Sequence, residues 1–472
     1  MQIRQFVDEG LGNAAHLIIS ERAGVAALID PLRSVDPYLD AAAAAGVRIS
    51  YVLETHVHND FISGSREVAA RTGARIAASA AAGLAFDYHP VREGEVVVVG
   101  DVHLRVLETP GHTPEHVSYL AEDRSALDQP PVLFSGGSLL VGAVARTDLL
   151  GHEHTLGLAH DLYRSLHEKI LRLPDTVAVF PTHGAGSFCA APPSAERSTT
   201  IGRERQANLF VQLPSADALA DALARSLPSY PTYYRHMAAI NRRGPRVLER
   251  LPHLAPLSPA AVADRLRRGE AVVDLRPVDD YLAGHIPGAY QVELRPAFAS
   301  WVGWVVPFGT PLILVSAAPE AHHEAVRQLV NIGYDDLPGY LDGGMAAWSA
   351  AGLPAARAQA TTVAEVRERL ERGEPLVVLD VRLHAEWEAG HIPGAVHIEG
   401  GALPEQGQTL PKDRPIVVHC GVEQRATTAF SVLERLGFTD LRLVRGGWTA
   451  WSGAGFPVER PTEATPAAPG RS

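Results

Sequence analysis

The stretch Thr55-His56-Val57-His58-Asn59-Asp60-Phe61 decides how the first half of the chain is interpreted. It follows the apolar run 49–53, which predicts a strand, and it places two imidazoles and a carboxylate at alternate positions. Side chains at alternate positions of an extended segment point to one side, so the three groups can converge on a metal ion. The stretch therefore predicts a metal-binding loop held by a sheet.

Two further histidine clusters follow predicted strands in the same half of the chain. Thr109-Pro110-Gly111-His112-Thr113-Pro114-Glu115-His116 follows the run 104–107, and Pro181-Thr182-His183-Gly184 comes later. A single histidine of this kind is more often a surface or core residue than a site residue. Three clusters at strand ends favour a site, because loops held by a rigid sheet commonly carry function.

Residues 1–250 resemble the metallo-β-lactamase superfamily, in particular its glyoxalase II and persulfide dioxygenase branch, through the Thr-His-x-His-x-Asp motif at 55–60. The resemblance implies an αββα sandwich with the metal at one edge. It also implies His56, His58 and Asp60 as site residues in the first motif and His112 in the second.

The residue after Asp60 indicates which metal chemistry to expect. Hydrolases of the superfamily carry a second histidine there, whereas this chain has Phe61, so a complete dinuclear hydrolase centre is not expected. A mononuclear centre suits Fe(II), which non-haem oxygenases hold with two imidazoles and one carboxylate. We expect one iron per chain, with zinc as the alternative.

One position departs from the family pattern. In the family an Asp that follows a Gly, ahead of an Arg-x-Asp, supplies the third ligand, and counting back from Arg146 places Gly137 there. Because glycine has no side-chain donor, either Asp148 or Asp60 substitutes, or water completes the shell, or the metal binds weakly and the oxidation chemistry is lost. The candidate metal ligands are therefore His56, His58, His112 and Asp148.

Cys189 lies six residues after His183, behind a glycine-rich turn. Free cysteines are most often small buried apolar residues. The turn also brings this thiol towards the histidine clusters, so a catalytic role in holding or relaying sulfur is the second interpretation.

The second half of the chain contains two copies of one unit. Gly284-His285-Ile286-Pro287-Gly288-Ala289 recurs 106 positions later as Gly390-His391-Ile392-Pro393-Gly394-Ala395, and Asp274-Leu275-Arg276 recurs as Asp380-Val381-Arg382. Short apolar runs alternate with amphipathic stretches in each copy, which predicts a parallel sheet covered by helices. The predicted divisions are 1–250, 257–355 and 361–460, followed by a disordered Pro-, Ala- and Thr-rich tail at 461–472.

A cysteine ends an apolar run in the second copy. Residues 416–418 lead to His419-Cys420-Gly421-Val422-Glu423-Gln424-Arg425, and a helix is predicted directly after the loop. Amide hydrogens and the positive end of the helix dipole would face this thiol, lower its pKa and make it a nucleophile. A core cysteine at a strand end is the alternative.

These residues and the repeated motifs are similar to the rhodanese family over about 100 residues of the second copy. The resemblance implies sulfurtransfer through a Cys420 persulfide, closed by Arg425. Four residues separate the two, whereas a phosphatase loop has five, so a phosphatase is the weaker alternative. The implied persulfide cradle is Gly421, Val422, Glu423 and Gln424. Glu423 is expected to add negative charge at the mouth and to disfavour thiosulfate relative to a persulfide.

The first copy lacks these groups. Ser316 stands at the position of Cys420 and Ala321 at that of Arg425. A hydroxyl cannot carry sulfane sulfur as a thiol can, so we expect this copy to be inactive and architectural. His322 and His323 are expected to be solvated residues at a helix start.

Composition limits the classes of function. The net charge of −12 argues against a nucleic-acid-binding surface. No run of 18 uncharged apolar residues and no signal peptide is found, which predicts a cytoplasmic protein without membrane partners. The chain has two cysteines, so neither is expected to brace the fold.

The whole chain resembles bacterial fusions of a persulfide-dioxygenase-like domain to tandem rhodanese domains. The resemblance implies sulfide or persulfide metabolism, with a low-molecular-weight thiol persulfide or thiosulfate as substrate, dioxygen as co-substrate if the metal site is active, and a homo-oligomer as an open possibility. Two alternatives for the first domain remain: a metallo-hydrolase acting on a glyoxalase II-like thioester, and a metal-free scaffold that presents a persulfide to the rhodanese.

Overall fold

The computed structural model describes residues 1–189 and 196–461. The predicted tail therefore lies outside the described residues, apart from Pro461. Four sheets are found in this part of the chain, two of six strands followed by two of five. The fold class predicted from the sequence, an αββα sandwich followed by two α/β domains with parallel sheets, is confirmed.

The first domain is built on two six-stranded sheets. The first sheet has the order β1-β2-β3-β4-β5-β6 and the second the order β12-β11-β10-β9-β8-β7. The strands are β1 (Gln2–Asp8), β2 (Asn13–Ser20), β3 (Val25–Ile29), β4 (Arg48–Leu53), β5 (Arg75–Ser79), β6 (His89–Val91), β7 (Val96–Val99), β8 (Val102–Glu108), β9 (Val117–Asp123), β10 (Val132–Gly136), β11 (Ala178–Pro181) and β12 (Thr199–Thr200).

Helices cover the outer faces of these two sheets. They are α1 (Asp36–Ala44), α2 (Ser65–Thr72), α3 (His152–Arg164), α4 (Ile201–Ala207), α5 (Ala216–Ser226) and α6 (Tyr234–Arg243); a π-helical turn (Ser165–Lys169) and a 3-10 turn (Ile170–Arg172) continue α3. Apolar side chains of both sheets, such as Leu53 and Tyr119, form the core between them. Leu162 of α3 and Leu219 of α5 pack on the outer face of the second sheet.

The two following domains share one parallel topology. The middle sheet has the order β13-β17-β16-β14-β15 and the last the order β18-β22-β21-β19-β20. Their strands are β13 (Pro256–Leu257), β14 (Ala271–Asp274), β15 (Tyr290–Gln291), β16 (Leu312–Val315), β17 (Gly339–Leu341), β18 (Gln359–Thr362), β19 (Val377–Asp380), β20 (Val396–His397), β21 (Ile416–His419) and β22 (Leu441–Arg445).

Helices connect these parallel strands. The middle domain has α7 (Pro259–Arg267), α8 (Val278–Ala283), α9 (Phe298–Val305), α10 (Glu320–Asn331) and α11 (Gly344–Ala350). The last domain has α12 (Val363–Glu371), α13 (His384–Ala389), α14 (Leu403–Gln406), α15 (Gln424–Arg435) and α16 (Gly447–Gly453), with 3-10 turns at Gly400–Ala402 and Gly407–Thr409. No helix of the described residues is both long enough and apolar enough to cross a bilayer.

The repeated Asp-x-Arg motif is a buried ion pair. In the last domain the Nη2 atom of Arg382 lies 2.6 Å from Oδ2 of Asp380 and donates to the carbonyl of Gly390 at 2.8 Å. Arg276 makes the same contacts with Asp274 and Gly284. The pair thus ties the end of β14 or β19 to the Gly-His-Ile-Pro loop, which explains why both motifs recur together.

Helix α9 of the middle domain lies between the other two domains. All of its residues are buried, and they belong to one apolar cluster that includes side chains of all three domains. The helix touches its neighbours at two glycines. A Cβ atom at Gly303 would overlap the ring of Tyr233 from the first domain, and one at Gly401 of the last domain would overlap the ring of Trp304. At both glycines, an aromatic ring of one domain therefore packs directly against the backbone of its neighbour.

Gly401→Ala is expected to destabilise this interface. The added methyl group overlaps Trp304, and overpacking of this kind costs about 1–3 kcal/mol. The midpoint of urea unfolding, followed by tryptophan fluorescence, should fall. Gly453→Ala is the control, because it lies on a helix with nothing within 4 Å of the new methyl group. Equal midpoints for Gly401→Ala and the unmodified chain would contradict the interpretation.

Candidate functional sites

The three histidine clusters of the first domain meet at one edge of the sandwich. His56 follows β4, His112 follows β8 and His183 follows β11, and all three are buried. The ring centroids of His56 and His112 are 4.8 Å apart, and those of His112 and His183 are 5.2 Å apart. The Nε2 atoms of His56 and His183 lie 3.4 Å from each other.

Asp30, at the end of β3, organises the loops that carry these rings. Its buried carboxylate accepts hydrogen bonds from the backbone N–H of Thr55 at 2.8 Å, from the Thr55 hydroxyl at 2.6 Å and from the Thr182 hydroxyl. Its backbone has a φ of 48°, which is unusual for a residue other than glycine. Sequence analysis missed Asp30. The signal was a lone Asp before Pro31 at the end of an apolar run.

His58 is engaged by carboxylates on its Nε2 side. Nε2 lies 3.0 Å from Oε2 of Glu54 and 3.3 Å from Oδ1 of Asp30. Burial alone would lower the pKa of His58, but the two carboxylates outweigh it and raise the pKa to about 10. The ring also stacks on Phe61 with centroids 4.1 Å apart. Its Nδ1 is buried with no hydrogen-bond partner among the described residues, and His58 forms with His56 and His183 a group of donor atoms within 4.8 Å of one another.

The other three imidazoles have fixed tautomers. Nδ1 of His112 donates to the carbonyl of Arg146, and Nδ1 of His183 donates to Oδ1 of Asn13, each at 2.8 Å. Nδ1 of His56 donates to the Thr55 hydroxyl at 2.8 Å, because that hydroxyl gives its own hydrogen to Asp30. The Nε2 atom of each ring is therefore unprotonated and has a free lone pair.

Burial keeps these three rings neutral. It lowers the pKa of His112 and of His183 to about 3, and it lowers the pKa of His56 well below its ordinary value with help from neighbouring imidazoles. Neutral imidazoles with an anchored Nδ1–H are the form in which histidine binds metals.

Neither Gly137 nor Asp148 supplies the carboxylate that an iron site would need. Gly137 stands at its position, and a Cβ atom there would overlap Cδ2 of His112. Asp148 is held by Arg146 at 2.7 and 2.9 Å, which engages both of its oxygens. Asp60 accepts from Asn13 at 2.7 Å through Oδ2, and its Oδ1 is buried with no hydrogen-bond partner among the described residues.

Cys189 lies beside the imidazoles and is also part of the buried apolar cluster around α9. Its donor atom and those of His112 and His183 lie within 4.8 Å of one another. The thiol is fully buried, and burial together with the Asp60 carboxylate raises its pKa well above the ordinary value. It is thus a shielded, neutral thiol unless a cation is bound next to it.

The second site surrounds Cys420 at the end of β21. The backbone N–H groups of Val422, Arg425 and Ala426 face the thiol. Arg425 is held by Glu386 through two contacts of 2.5 and 2.8 Å. The prediction of a lowered pKa is wrong in direction: burial raises the pKa of Cys420 and outweighs the lowering by Arg425 and the amides.

The Gly446-Gly447-Trp448 motif supports this loop. The N–H of Trp448 donates to the carbonyl of Cys420 at 2.8 Å, and that of Thr449 donates to the carbonyl of Gly421 at 2.9 Å. Gly447 has a φ of 51°. A Cβ atom added at this residue would overlap the carbonyl oxygens of Cys420 and Val422. Only glycine fits there without strain.

Glu423 does not point into the pocket, contrary to the sequence prediction. Its Oε1 lies 3.1 Å from Nε of Arg445 and accepts from the N–H of Gly446 at 2.9 Å. Its charge is therefore paired on the outer side of the loop, where it does not oppose an anionic donor.

All three domains line the Cys420 pocket, which has a volume of about 250 Å³. Arg295, Trp301 and Trp304 come from the middle domain and Phe188 from the first. Leu383, Val422, Gln424 and Arg425 of the last domain complete the lining. Sequence analysis missed Arg295, Trp301 and Trp304. The only hint in the sequence was that two tryptophans lie close together in the apolar run 298–305.

In the middle domain, the loop at the position of Cys420 is built differently. The Ser316 hydroxyl lies 2.6 Å from Nε2 of His322, which also packs on Tyr340. His322 is thus half-buried and hydrogen-bonded rather than solvated, whereas His323 is exposed as predicted.

Comparisons with known proteins cover all three domains. The metallo-β-lactamase superfamily model matches residues 10–183, and the rhodanese-like domain model matches residues 258–351 and 362–454. A hydroxyacylglutathione hydrolase of Polaromonas sp. is 33% identical over 244 residues, covering 46% of this chain and 88% of that protein.

Two further comparisons extend this similarity. The mitochondrial persulfide dioxygenase ETHE1 of Homo sapiens is 29% identical over 198 residues, covering 42% of this chain and 73% of that protein. A metallo-β-lactamase structure from Staphylococcus aureus is 31% identical with a TM-score of 0.65, covering 72% of this chain and 98% of that one. The latter similarity extends beyond the first domain.

The raised pKa of Cys420 leads to a pH-dependent reactivity. Alkylation by iodoacetamide requires the thiolate, so its rate should rise with pH with a midpoint above that of an ordinary thiol. Arg425→Gln removes a cation that lowers the pKa, so the midpoint should move higher by about one unit. Mass spectrometry of the Cys420 peptide gives the rate.

Arg414→Gln is the matched control for this shift, because Arg414 is exposed and pairs only with Asp413 among the described residues. A lower midpoint for Arg425→Gln than for the unmodified chain would contradict the assigned role of Arg425.

Proposed function

This chain belongs to the metallo-β-lactamase superfamily and carries two rhodanese-like domains, and from that premise we propose that it is a sulfurtransferase of sulfide or persulfide metabolism. Cys420 carries the sulfane sulfur as a persulfide. The observation that carries the proposal is the set of three amide N–H groups that face the Cys420 thiol at the base of a pocket.

The transfer takes place in two displacement steps. The Cys420 thiolate attacks the outer sulfur of a thiosulfate or a low-molecular-weight persulfide, and the donor S–S bond breaks to release sulfite or a thiolate with the bonding electron pair. An acceptor thiolate then attacks the outer sulfur of the Cys420 persulfide. The amides of Val422, Arg425 and Ala426 stabilise the negative charge on the transferred sulfur.

The cations around the pocket favour anionic donors. Glu386 neutralises Arg425, and Arg445 neutralises Glu423. Arg295 lines the pocket, and its charge interacts with Glu293, Arg425 and Cys420. No hydrogen bond or ion pair of its guanidinium is found with the described side chains. Arg295 is thus the cation available to a bound anion.

The proposal assigns no step to iron. Non-haem oxygenases take two imidazoles and one carboxylate, and Gly137 removes that carboxylate while Asp148 is bound to Arg146. Thioester hydrolysis, which the hydroxyacylglutathione hydrolase relative would suggest, is likewise not supported. A dinuclear centre would need a ligand where Phe61 stands, and His58 is held by carboxylates.

Cys420→Ser is expected to abolish sulfurtransfer. A hydroxyl cannot form the persulfide, so sulfite release from thiosulfate in the presence of a thiol acceptor should fall to background. Circular dichroism and the urea midpoint should stay unchanged, because the substitution is nearly isosteric. Ser316→Ala is the control and should keep full transfer, since Ser316 does not line the Cys420 pocket. Transfer by Cys420→Ser at the unmodified rate would refute the proposal.

Arg295→Ala is expected to weaken donor binding without removing the nucleophile. Charge-assisted contacts contribute about 1.5–3 kcal/mol, so the KM for thiosulfate should rise on the order of tenfold while kcat changes little. Arg295→Lys, which keeps the charge, should retain most of the affinity. An unchanged KM in Arg295→Ala would show that Arg295 takes no part in donor binding.

A further inference from the structure

Sulfurtransfer at Cys420 leaves a cluster of unused groups in the first domain. His112, His183 and Cys189 offer donor atoms within 4.8 Å of one another, and all three side chains are buried. His183 and Cys189 come from one loop after β11, and His112 comes from the loop after β8. The fold therefore gathers two imidazoles and a thiol at the position where Gly137 leaves out the carboxylate.

The positions of two lone pairs indicate a bound cation. Nε2 of His56 and Nε2 of His183 face each other at 3.4 Å, and the Nδ1 hydrogens of both rings are used elsewhere. Two unprotonated nitrogens at this distance repel unless a cation lies between them. Zn–N bonds of about 2.0–2.1 Å in a tetrahedral shell place two nitrogens about 3.3–3.4 Å apart.

An unpaired buried atom gives an independent indication. Nε2 of His112 is buried with no hydrogen-bond partner among the described residues, while its Nδ1 is fixed by the carbonyl of Arg146. Buried polar atoms are rarely left without a partner, and a bound ion is one of the recognised explanations. This atom belongs to the same group as His183 and Cys189.

We propose that His112, His183 and Cys189 bind Zn²⁺, so that a thiolate takes the place of the missing carboxylate. Thiolate and imidazole donors select zinc, whereas dioxygen-activating iron takes imidazoles and carboxylate. Binding releases the thiol hydrogen to solvent as a proton, because a metal ligates the thiolate. Cys189 is then a ligand and not a carrier of sulfur.

The proposal is independent of sulfurtransfer, which allows a clean experiment. Cys420→Ser removes the only other thiol of the chain. The full-length variant is freed of metal with a chelator and loaded with Co²⁺ or Zn²⁺ at one equivalent. Cobalt should give tetrahedral ligand-field bands and a thiolate-to-metal charge-transfer band. Zinc X-ray absorption should show one sulfur neighbour at about 2.3 Å and nitrogen neighbours at about 2.0–2.1 Å.

A matched substitution assigns the sulfur. The double variant Cys189→Ser and Cys420→Ser should lose the charge-transfer band, and its zinc affinity should fall at least tenfold in a competition titration. Gly453→Ala in the Cys420→Ser background serves as the substitution control and should keep the band. A zinc shell with nitrogen and oxygen neighbours only, or a failure of Cys420→Ser to bind either metal, would overturn the proposal. The X-ray absorption result does not require a variant at the site and so stands even if the double variant fails to fold.

Discussion

The hydrogen bonds of one buried carboxylate hold the first-domain site together. Asp30 binds Thr55, His58 and Thr182, and so connects the loops after β4 and β11. A buried charge is tolerated only when it is paired and hydrogen-bonded. If these loops moved apart, the Asp30 carboxylate would be left buried without partners. The same requirement, applied to the unpaired Nε2 of His112, supports the proposed Zn²⁺ site.

Close packing between domains places the second site. Gly303 and Gly401 leave no space for a side chain, which brings α9 against both neighbouring domains. The tryptophans of this helix thereby become a wall of the Cys420 pocket. The middle domain, which lacks a nucleophilic cysteine, thus contributes to the pocket of the last domain. The architectural role expected for it from Ser316 and Ala321 therefore includes lining the pocket of the last domain.

Sequence patterns predicted much of the fold because they report local constraints. The repeated Asp-x-Arg and Gly-His-Ile-Pro motifs marked the two parallel domains, and the loop from Cys420 to Arg425 marked the nucleophile. The direction of the Cys420 pKa shift was not predictable. The amides that lower it come from the adjoining loop, whereas side chains about 120 positions away, such as Trp301, line the pocket in which the thiol is buried.

The sequence by itself determined which chemical groups are present: two thiols, three histidine clusters and a glycine in place of a carboxylate. The tertiary structure alone decided which of them meet. It paired Asp148 with Arg146, turned Glu423 to Arg445 and placed Cys189 beside His183. Side-chain partners across long separations are set by packing and by the need to satisfy buried polar atoms, and neither is encoded in local spacing.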